Sequence, residues 1–279
     1  MIIRCWGARG SIPVSGEEFV RYGGDTTCME IRSENDDVLI IDAGTGIRNL
    51  GQRLISEKKR STALLLTHVH WDHILGFPFF RPLYQKSHHL EIHGDLSVRK
   101  TIMDFISEVM TPPFFPINID AVRAHIHYRE WERKNFPVYS FTVESIPLSH
   151  PNCGNGYKIT ENGKSLVFLT DNELTYRHKG GCSYEDYLEF SRNADLLIHD
   201  AEYTEAEYKK TKTWGHSIYK DALQLALDAG VRRFGLFHHH PDRSDDDIDR
   251  IVLECRDIIK EKKSSLECFA LRQGMEIIL

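Results

Sequence analysis

Short apolar runs that end near a histidine or an aspartate recur along this chain. Each run spans three or four residues, which is too short for a helix and typical of a buried strand. The runs are residues 63–66, 145–148, 166–169, 196–198 and 234–237, and the polar residues after them are His68, His150, Asp171, His199 with Asp200, and His238. Because ligands gather at the carboxyl ends of strands in α/β sheets, this pattern predicts metal-binding side chains along one sheet edge.

Two segments in the second half have the apolar periodicity of amphipathic helices. The first is expected to start with Ser217 as its N-cap, to bury Ile218 and Leu225, and to end at Gly230. The second is expected to start at Ser244, with acidic residues in its first turn that complement the helix dipole. The positive end of the first helix should face the strand ends and attract an anion.

The densest polar cluster, residues 67–73, contains three histidines and an aspartate. His68 and His70 alternate with residues that face elsewhere, so their imidazoles can converge on one ion. Asp72 and His73 can turn towards a neighbouring ion, which is typical of a two-metal site. Imidazole and carboxylate ligands suit two divalent metal ions such as Zn²⁺, Mn²⁺ or Fe²⁺. We favour zinc and keep manganese and iron as alternatives.

The pattern HxHxDH, followed by a histidine, an aspartate and a histidine at later strand ends, resembles the metallo-β-lactamase superfamily over nearly the whole chain. The resemblance implies an α/β fold, a four-layer αβ/βα sandwich around a two-metal site. It implies that the first metal is held by His68, His70 and His150, the second by Asp72, His73 and His238, and that Asp171 bridges both. Asp42, at the end of the run 38–41, should then steady the ligand loop from outside.

The sequence around Asp200 and the Gly-His-Ser motif at 215–217 resembles the phosphodiesterase branch of that superfamily, which includes tRNase Z and phosphoribosyl cyclic phosphate phosphodiesterases. The resemblance implies that His216 is a general acid and that Asp200 orients it, and we count Asp72 with them as a catalytic residue. Hydrolysis of a phosphodiester needs a protonated group for the leaving alkoxide, which a histidine beside a carboxylate supplies.

Other segments leave alternatives open. The glycine-rich segments 6–13 and 22–28 are either tight turns or phosphate contacts made by Arg9 or Ser11. His240 shares its side of a strand with His238 and is the alternative ligand. The proline-aromatic segments 77–82 and 110–117 either cover the core or form a lid or interface, in which Phe114 and Phe115 could stack on a base. The remaining histidines match no motif and are expected at the surface: His88, His89, His93, His125, His127 and His178.

Composition and charge indicate the number of domains, the compartment and the kind of partner. The 279 residues contain no linker or low-complexity tract, so we expect one domain over residues 1–279. Six scattered cysteines, none in a CxxC motif, and the lack of an apolar run of membrane-spanning length predict a cytoplasmic protein without membrane contact. A net charge of −6 with short basic runs argues against a nucleic-acid partner, and no glycine- and proline-rich tRNA-binding arm is recognisable. A homodimer remains an alternative.

We therefore predict a dinuclear metal-dependent hydrolase, a phosphodiesterase that cleaves a small, cyclic phosphodiester such as a cyclic nucleotide or cyclic sugar phosphate. The attacking group would be a hydroxide activated by the metals. The alternatives are a tRNase Z-like nuclease for RNA 3′ ends, a thioester or lactone hydrolase of the same fold, and a non-catalytic metal-dependent sensor. The thioester or lactone hydrolase would not need His216 and Asp200.

Overall fold

The apolar runs form strands of two sheets. A computed structural model describes residues 1–95, 107–108, 110–113, 115–131 and 135–279. Its strands are β1 Ile2–Gly7, β2 Cys28–Arg32, β3 Val38–Ile41, β4 Ser61–Leu65, β5 His89–Asp95, β6 His125–Trp131, β7 Asn135–Val138, β8 Phe141–Pro147, β9 Asn155–Glu161, β10 Lys164–Leu169, β11 Leu196–Asp200, β12 Arg233–Phe237, β13 Glu267–Ala270 and β14 Glu276–Ile278.

The two sheets have matching topologies. The first has the strand order β14-β1-β2-β3-β4-β5-β6 and the second the order β7-β8-β9-β10-β11-β12-β13. Read in these directions, the pairings in each sheet are antiparallel up to β3 or β10 and parallel after that strand. Since β10, β11 and β12 are parallel, their carboxyl ends lie at one edge of the second sheet.

Helices cover the outer faces of both sheets. The α-helices in the described ranges are α1 Ile47–Ser56, α2 Trp71–Ile74, α3 Tyr184–Ser191, α4 Glu205–Thr211, α5 Tyr219–Asp228 and α6 Asp245–Glu261, and the 3₁₀ turns are Glu17–Phe19, Phe77–Phe79, Arg81–Tyr84 and Ile119–Ala121. No helix in these ranges combines the length and the apolar character needed to cross a membrane.

Three apolar clusters separate the layers. One joins the facing sides of the two sheets, a second joins α1 to the outer side of the first sheet, and a third joins α5 and α6 to the outer side of the second sheet. Strand β10 serves two of them, since Leu166 and Phe168 belong to the central cluster while Val167 and Leu169 belong to the outer one. The predicted four-layer α/β sandwich is therefore confirmed.

The first and last strands pair with each other. β1 runs antiparallel to β14, with Ile2 opposite Ile278, so both ends of the chain belong to the first sheet. This pairing supports our proposal that residues 1–279 form one domain.

Local predictions met different outcomes. Ser244 caps α6 through a capping box with Asp247, as predicted. The prediction that Ser217 caps the next helix was wrong: α5 begins at Tyr219 without a side-chain cap, because the Ser217 hydroxyl donates to the carbonyl of Asn172 at 2.5 Å and accepts from the Leu174 N–H. That hydroxyl joins two loops instead of starting a helix.

The aromatic segments cover the core where the structure describes them. Phe77, in the first 3₁₀ turn after α2, and Phe80, between that turn and the next, are buried over the first sheet. Phe115 packs against the same cluster and meets Phe79 edge to face at 5.6 Å. The predicted role of Phe114 lies outside the described residues.

Candidate metal centre

The strand ends bring the seven predicted ligands together. The loop after β4 carries four of them, and single residues follow β8, β10 and β12. The ligand atoms form two groups, each within 4.8 Å: His68, His70 and His150 in one, and Asp72, His73, Asp171 and His238 in the other. These are the two ligand sets that the resemblance implied, with Asp171 in the second group.

Asp171 lies between the two groups. Its Oδ1 is 3.7 Å from Nε2 of His68 and 3.3 Å from Nε2 of His238. Its Oδ2 is 3.2 Å from Nε2 of His73, and Oδ1 is 3.9 Å from Nε2 of His150. A carboxylate in this position could bridge two cations, which is the role that the resemblance implies for Asp171.

The donor atoms fit divalent metal ions. The Nε2 atoms of His68 and His73 are buried and have no hydrogen-bond partner among the described residues, and an unpaired buried polar atom is costly. Imidazole nitrogen and carboxylate oxygen are the donors that zinc, manganese and iron accept. The superfamily fold implies such ions, and the described residues fit them.

Hydrogen bonds from outside the cluster fix how His73 and His150 face it. Nδ1 of His73 is 2.8 Å from Asp42 Oδ2, and Nδ1 of His150 is 2.9 Å from the carbonyl oxygen of Gly215. When Nδ1–H donates to these acceptors, Nε2 is left facing the cluster. Asp42 also accepts from the N–H of Thr67 at 2.7 Å, so it steadies the ligand loop as predicted from the sequence.

Protons compete with metal for this site. Burial lowers the pKa of His68 well below its usual range, so this ring is neutral and ready to bind. Burial also lowers the pKa of His238, but Asp171, Asp72 and Glu202 outweigh it and raise the pKa well above its usual range. The carboxylates thus favour protonated histidine in the second group. A bound cation would replace the proton on the nitrogen that it binds.

Three residues of the site have left-handed backbone at the end of a strand. Asp42 follows β3 with φ 62°, Asp171 follows β10 with φ 52°, and His238 follows β12 with φ 58°. This conformation costs ~1–2 kcal/mol for a residue with a side chain. Strain of this kind concentrates at functional sites, and here it turns each side chain out of the strand alternation. His240, the alternative ligand, belongs to neither group.

The N-terminal loop supports a predicted ligand, and burial removes Arg9 as a phosphate contact. The N–H of Ser11 donates to Asp72 Oδ2 at 2.8 Å. Arg9 is fully buried and its guanidinium donates to the carbonyls of Gly23, His240 and Arg243. It therefore has no exposed face for a phosphate.

His216 and Asp200 form a pair beside the cluster. Nδ1 of His216 is 2.7 Å from Asp200 Oδ2 and 3.9 Å from Asp171 Oδ1. Burial lowers the pKa of His216, but the carboxylates of Glu202 and Asp200 outweigh it and raise the pKa to about 9. The raised pKa favours the protonated ring, the state that a general acid requires.

Two buried glutamates at the site had no predicted role. Glu202 Oε2 is 2.9 Å from Nδ1 of His238 and 3.3 Å from Nδ1 of His216. Its place two residues after the end of β11 was the only sequence signal. His199, in the same strand, is buried and bonds to Asn172 away from the cluster.

Glu173 holds the loop that carries His216. Its carboxylate accepts from the N–H groups of Thr213 and Gly215 at 2.8 and 2.9 Å. It also accepts from the Tyr208 hydroxyl at 2.5 Å and from Nε2 of His178 at 2.8 Å. His178 is thus bonded into the site's support, and His88 and His93 are buried, so the surface prediction was wrong for these three. His89, His125 and His127 are exposed.

Replacing Gly10 with alanine should weaken metal binding by about 10- to 100-fold. An added Cβ would lie 2.2 Å from Nδ1 of His238, so the ring must move away from Glu202. Metal affinity measured by competition with a chelator tests this. Gly163→Asn is the control, since φ there is +75° and nothing lies within 4 Å. Unchanged affinity in a folded Gly10→Ala protein would contradict the ligand role of His238.

Replacing Glu173 with glutamine should lower the free energy of unfolding by about 2–3 kcal/mol. Each carboxylate oxygen accepts from one backbone N–H. Glutamine replaces one of these oxygens with an NH₂ group, so one backbone N–H would then face another donor. Urea denaturation measures the change. Glu261→Gln, at the exposed end of α6, should change stability by less than about 0.5 kcal/mol. Equal values for the two variants would show that the hydrogen bonds of Glu173 contribute little.

Comparisons with known proteins agree with this fold. A relative named Ribonuclease Z from Oceanobacillus iheyensis is 22% identical over 275 residues, covering 82% of this chain and 88% of that protein. The metallo-β-lactamase fold protein YhfI from Bacillus subtilis superposes with a TM-score of 0.73 at 20% identity, covering 99% of this chain and 98% of that one. A diphosphatase from the PhnP family gives a TM-score of 0.68 at 13% identity, covering 100% and 97%. A family model described as the β-lactamase superfamily domain matches residues 38–239, and the chain belongs to this family.

Proposed function

We propose that this protein is a dinuclear metal-dependent phosphodiesterase that hydrolyses a small cyclic phosphodiester. The observation that carries the proposal is the buried His216–Asp200 pair, 2.7 Å apart, beside two adjoining groups of metal-ligand side chains. An ester with an alkoxide leaving group needs such an acid next to its electrophilic centre. A thioester or lactone hydrolase would not need the His216–Asp200 pair.

The ligand side chains would hold two divalent ions, zinc first among them. His68, His70 and His150 would bind one ion, Asp72, His73 and His238 the other, and Asp171 both. Bound ions of this kind lower the pKa of water and offset the charge of a phosphate. The protein's own contribution is to fix the ligands through Asp42, Glu202 and the Gly215 carbonyl.

His216 would protonate the leaving oxygen. Asp200 accepts from its Nδ1–H and so fixes the ring, and the second ring nitrogen carries the proton to be given away. The carboxylates of Asp200 and Glu202 keep the ring protonated before the reaction. In the same step a hydroxide oxygen derived from water would form a bond to phosphorus, the bond between phosphorus and the alkoxide oxygen would break, and the new hydroxyl would keep the proton from His216.

A second candidate is an RNA 3′-end nuclease. It is favoured by the relative named Ribonuclease Z. Against it stands the net charge of −6, because polyanion binding relies on lysine and arginine contacts with many phosphates. A single small phosphodiester can be held by the metal centre alone, so we favour the smaller substrate.

The cysteines bear on the compartment. All six lie within the described residues and none forms a disulfide there. Cys255 and Cys268 share a hydrogen bond. We propose a cytoplasmic protein on this ground. We keep a homodimer as an alternative to a single chain.

The substrate proposal is tested with protein stripped of metal and then reloaded with Zn²⁺ or Mn²⁺. We expect hydrolysis of bis(p-nitrophenyl) phosphate and of 2′,3′-cyclic AMP only after reloading. A precursor tRNA with a 3′ trailer should be cleaved poorly. Efficient tRNA cleavage with a steep dependence on salt would favour the nuclease instead. Failure on every phosphodiester with metal bound would overturn the proposal.

His216→Ala should slow hydrolysis of 2′,3′-cyclic AMP by about 10²-fold or more, because its alkoxide leaving group needs a proton. Hydrolysis of bis(p-nitrophenyl) phosphate, which has a good leaving group, should slow far less. Metal content should stay that of the unmodified protein. His127→Ala, an exposed histidine on β6, is the control. Loss of metal would make His216 a ligand, and equal losses on both substrates would rule out the acid role.

A further inference from the structure

Two tryptophans lie exposed in the two segments that build the site. Trp71 stands between the predicted ligands His70 and Asp72 and is 70% exposed. Trp214 precedes Gly215 and His216 and is 61% exposed. Large aromatic side chains are rarely left in water, so their place beside the metal groups and the acid calls for a partner.

Both tryptophans are joined directly to segments of the site. Trp71 is the first residue of α2 and stands between His70 and Asp72 in the chain. Trp214 is two residues before His216, so their Cα atoms are within about 7 Å of each other. Gly215 has φ +96°, and a Cβ there would lie 2.0 Å from Nδ1 of His150, so this segment is pressed against a predicted ligand.

The fold itself does not use the indole rings. Neither Trp71 nor Trp214 belongs to the apolar clusters. Trp6, in contrast, packs on the cluster over the first sheet and donates to Glu30 at 3.0 Å. Among the described residues, the exposed pair has no ring stacked on it.

We propose that Trp71 and Trp214 form a stacking subsite for a nucleobase, so that the substrate is a cyclic nucleotide and not a cyclic sugar phosphate. This inference rests on the proposed phosphodiesterase function. A nucleobase lies one sugar ring away from its phosphate, so a phosphate at the metal centre places the base beside these rings. Stacking on an aromatic side chain tolerates any base, which predicts weak discrimination between purines.

Kinetics with matched substrates test the subsite. Trp71→Ala and Trp214→Ala should each lower kcat/KM for 2′,3′-cyclic AMP by about tenfold. For the base-free counterpart, methyl riboside 2,3-cyclic phosphate, kcat/KM should change by less than about twofold, because this substrate has no base to stack. Phenylalanine at either position should restore most of the loss. Leu253→Ala, an exposed apolar residue on α6, is the control for a general effect of truncation.

A binding measurement separates this inference from the proposed function. AMP added to the metal-loaded protein should quench tryptophan fluorescence, and ribose 5-phosphate should not. The quenching should vanish in the double variant Trp71→Phe with Trp214→Phe, which keeps Trp6 and Trp131.

The outcomes are distinct. If neither cyclic phosphate is hydrolysed by the unmodified protein, the proposed function fails, and the fluorescence result still decides the stacking. If both are hydrolysed and the alanine variants lose activity equally on the two substrates, the phosphodiesterase stands and the subsite is wrong. Quenching that persists in the double phenylalanine variant also overturns the subsite.

Discussion

The site depends on the buried carboxylate of Asp171. It follows the end of β10 with left-handed backbone and is within 4 Å of five imidazoles from four other segments. A lone buried carboxylate would be strongly unfavourable, and it is tolerated only where positive charge or metal compensates it. The two sheets therefore meet at this edge around a charge that neither sheet could bury by itself. The Asp171 carboxylate therefore links metal binding to the packing of the two halves.

That constraint explains the outer layer of hydrogen bonds. Asp42 reaches from the first sheet to His73, Glu202 from the second sheet to His238, and the Gly215 carbonyl to His150. Each partner fixes one ring nitrogen and leaves the other for the centre. Glu173 extends the layer, because it holds the loop that contains Gly215. Four segments that are remote in sequence thus share one network, which is what cooperative folding of the two halves around the site requires.

The sequence was informative where chemistry and pattern coincide. Apolar runs that end in His68, His150, Asp171 and His238 predicted both the strands and the edge where they meet, because strand length and hydrophobicity are local properties. Glu173 and Glu202 were not predicted, since their roles arise from hydrogen bonds to residues 36 to 42 positions away. Ser217 was misassigned as a cap for the same reason: its partner Asn172 lies 45 positions earlier. Local rules describe elements well and cannot describe long-range polar contacts.

Glu202 joins the metal centre to the acid. One of its oxygens lies 2.9 Å from Nδ1 of His238 and 3.3 Å from Nδ1 of His216, and these two rings stack at 4.7 Å. Two imidazoles this close would repel each other if both were charged, so a carboxylate between them is a physical requirement. A bound cation would take the place of the proton on His238, and Glu202 and Asp200 would then be the groups that favour the protonated form of His216. The ligand shell and the general acid therefore share one electrostatic balance, and a substitution in either is expected to change the other.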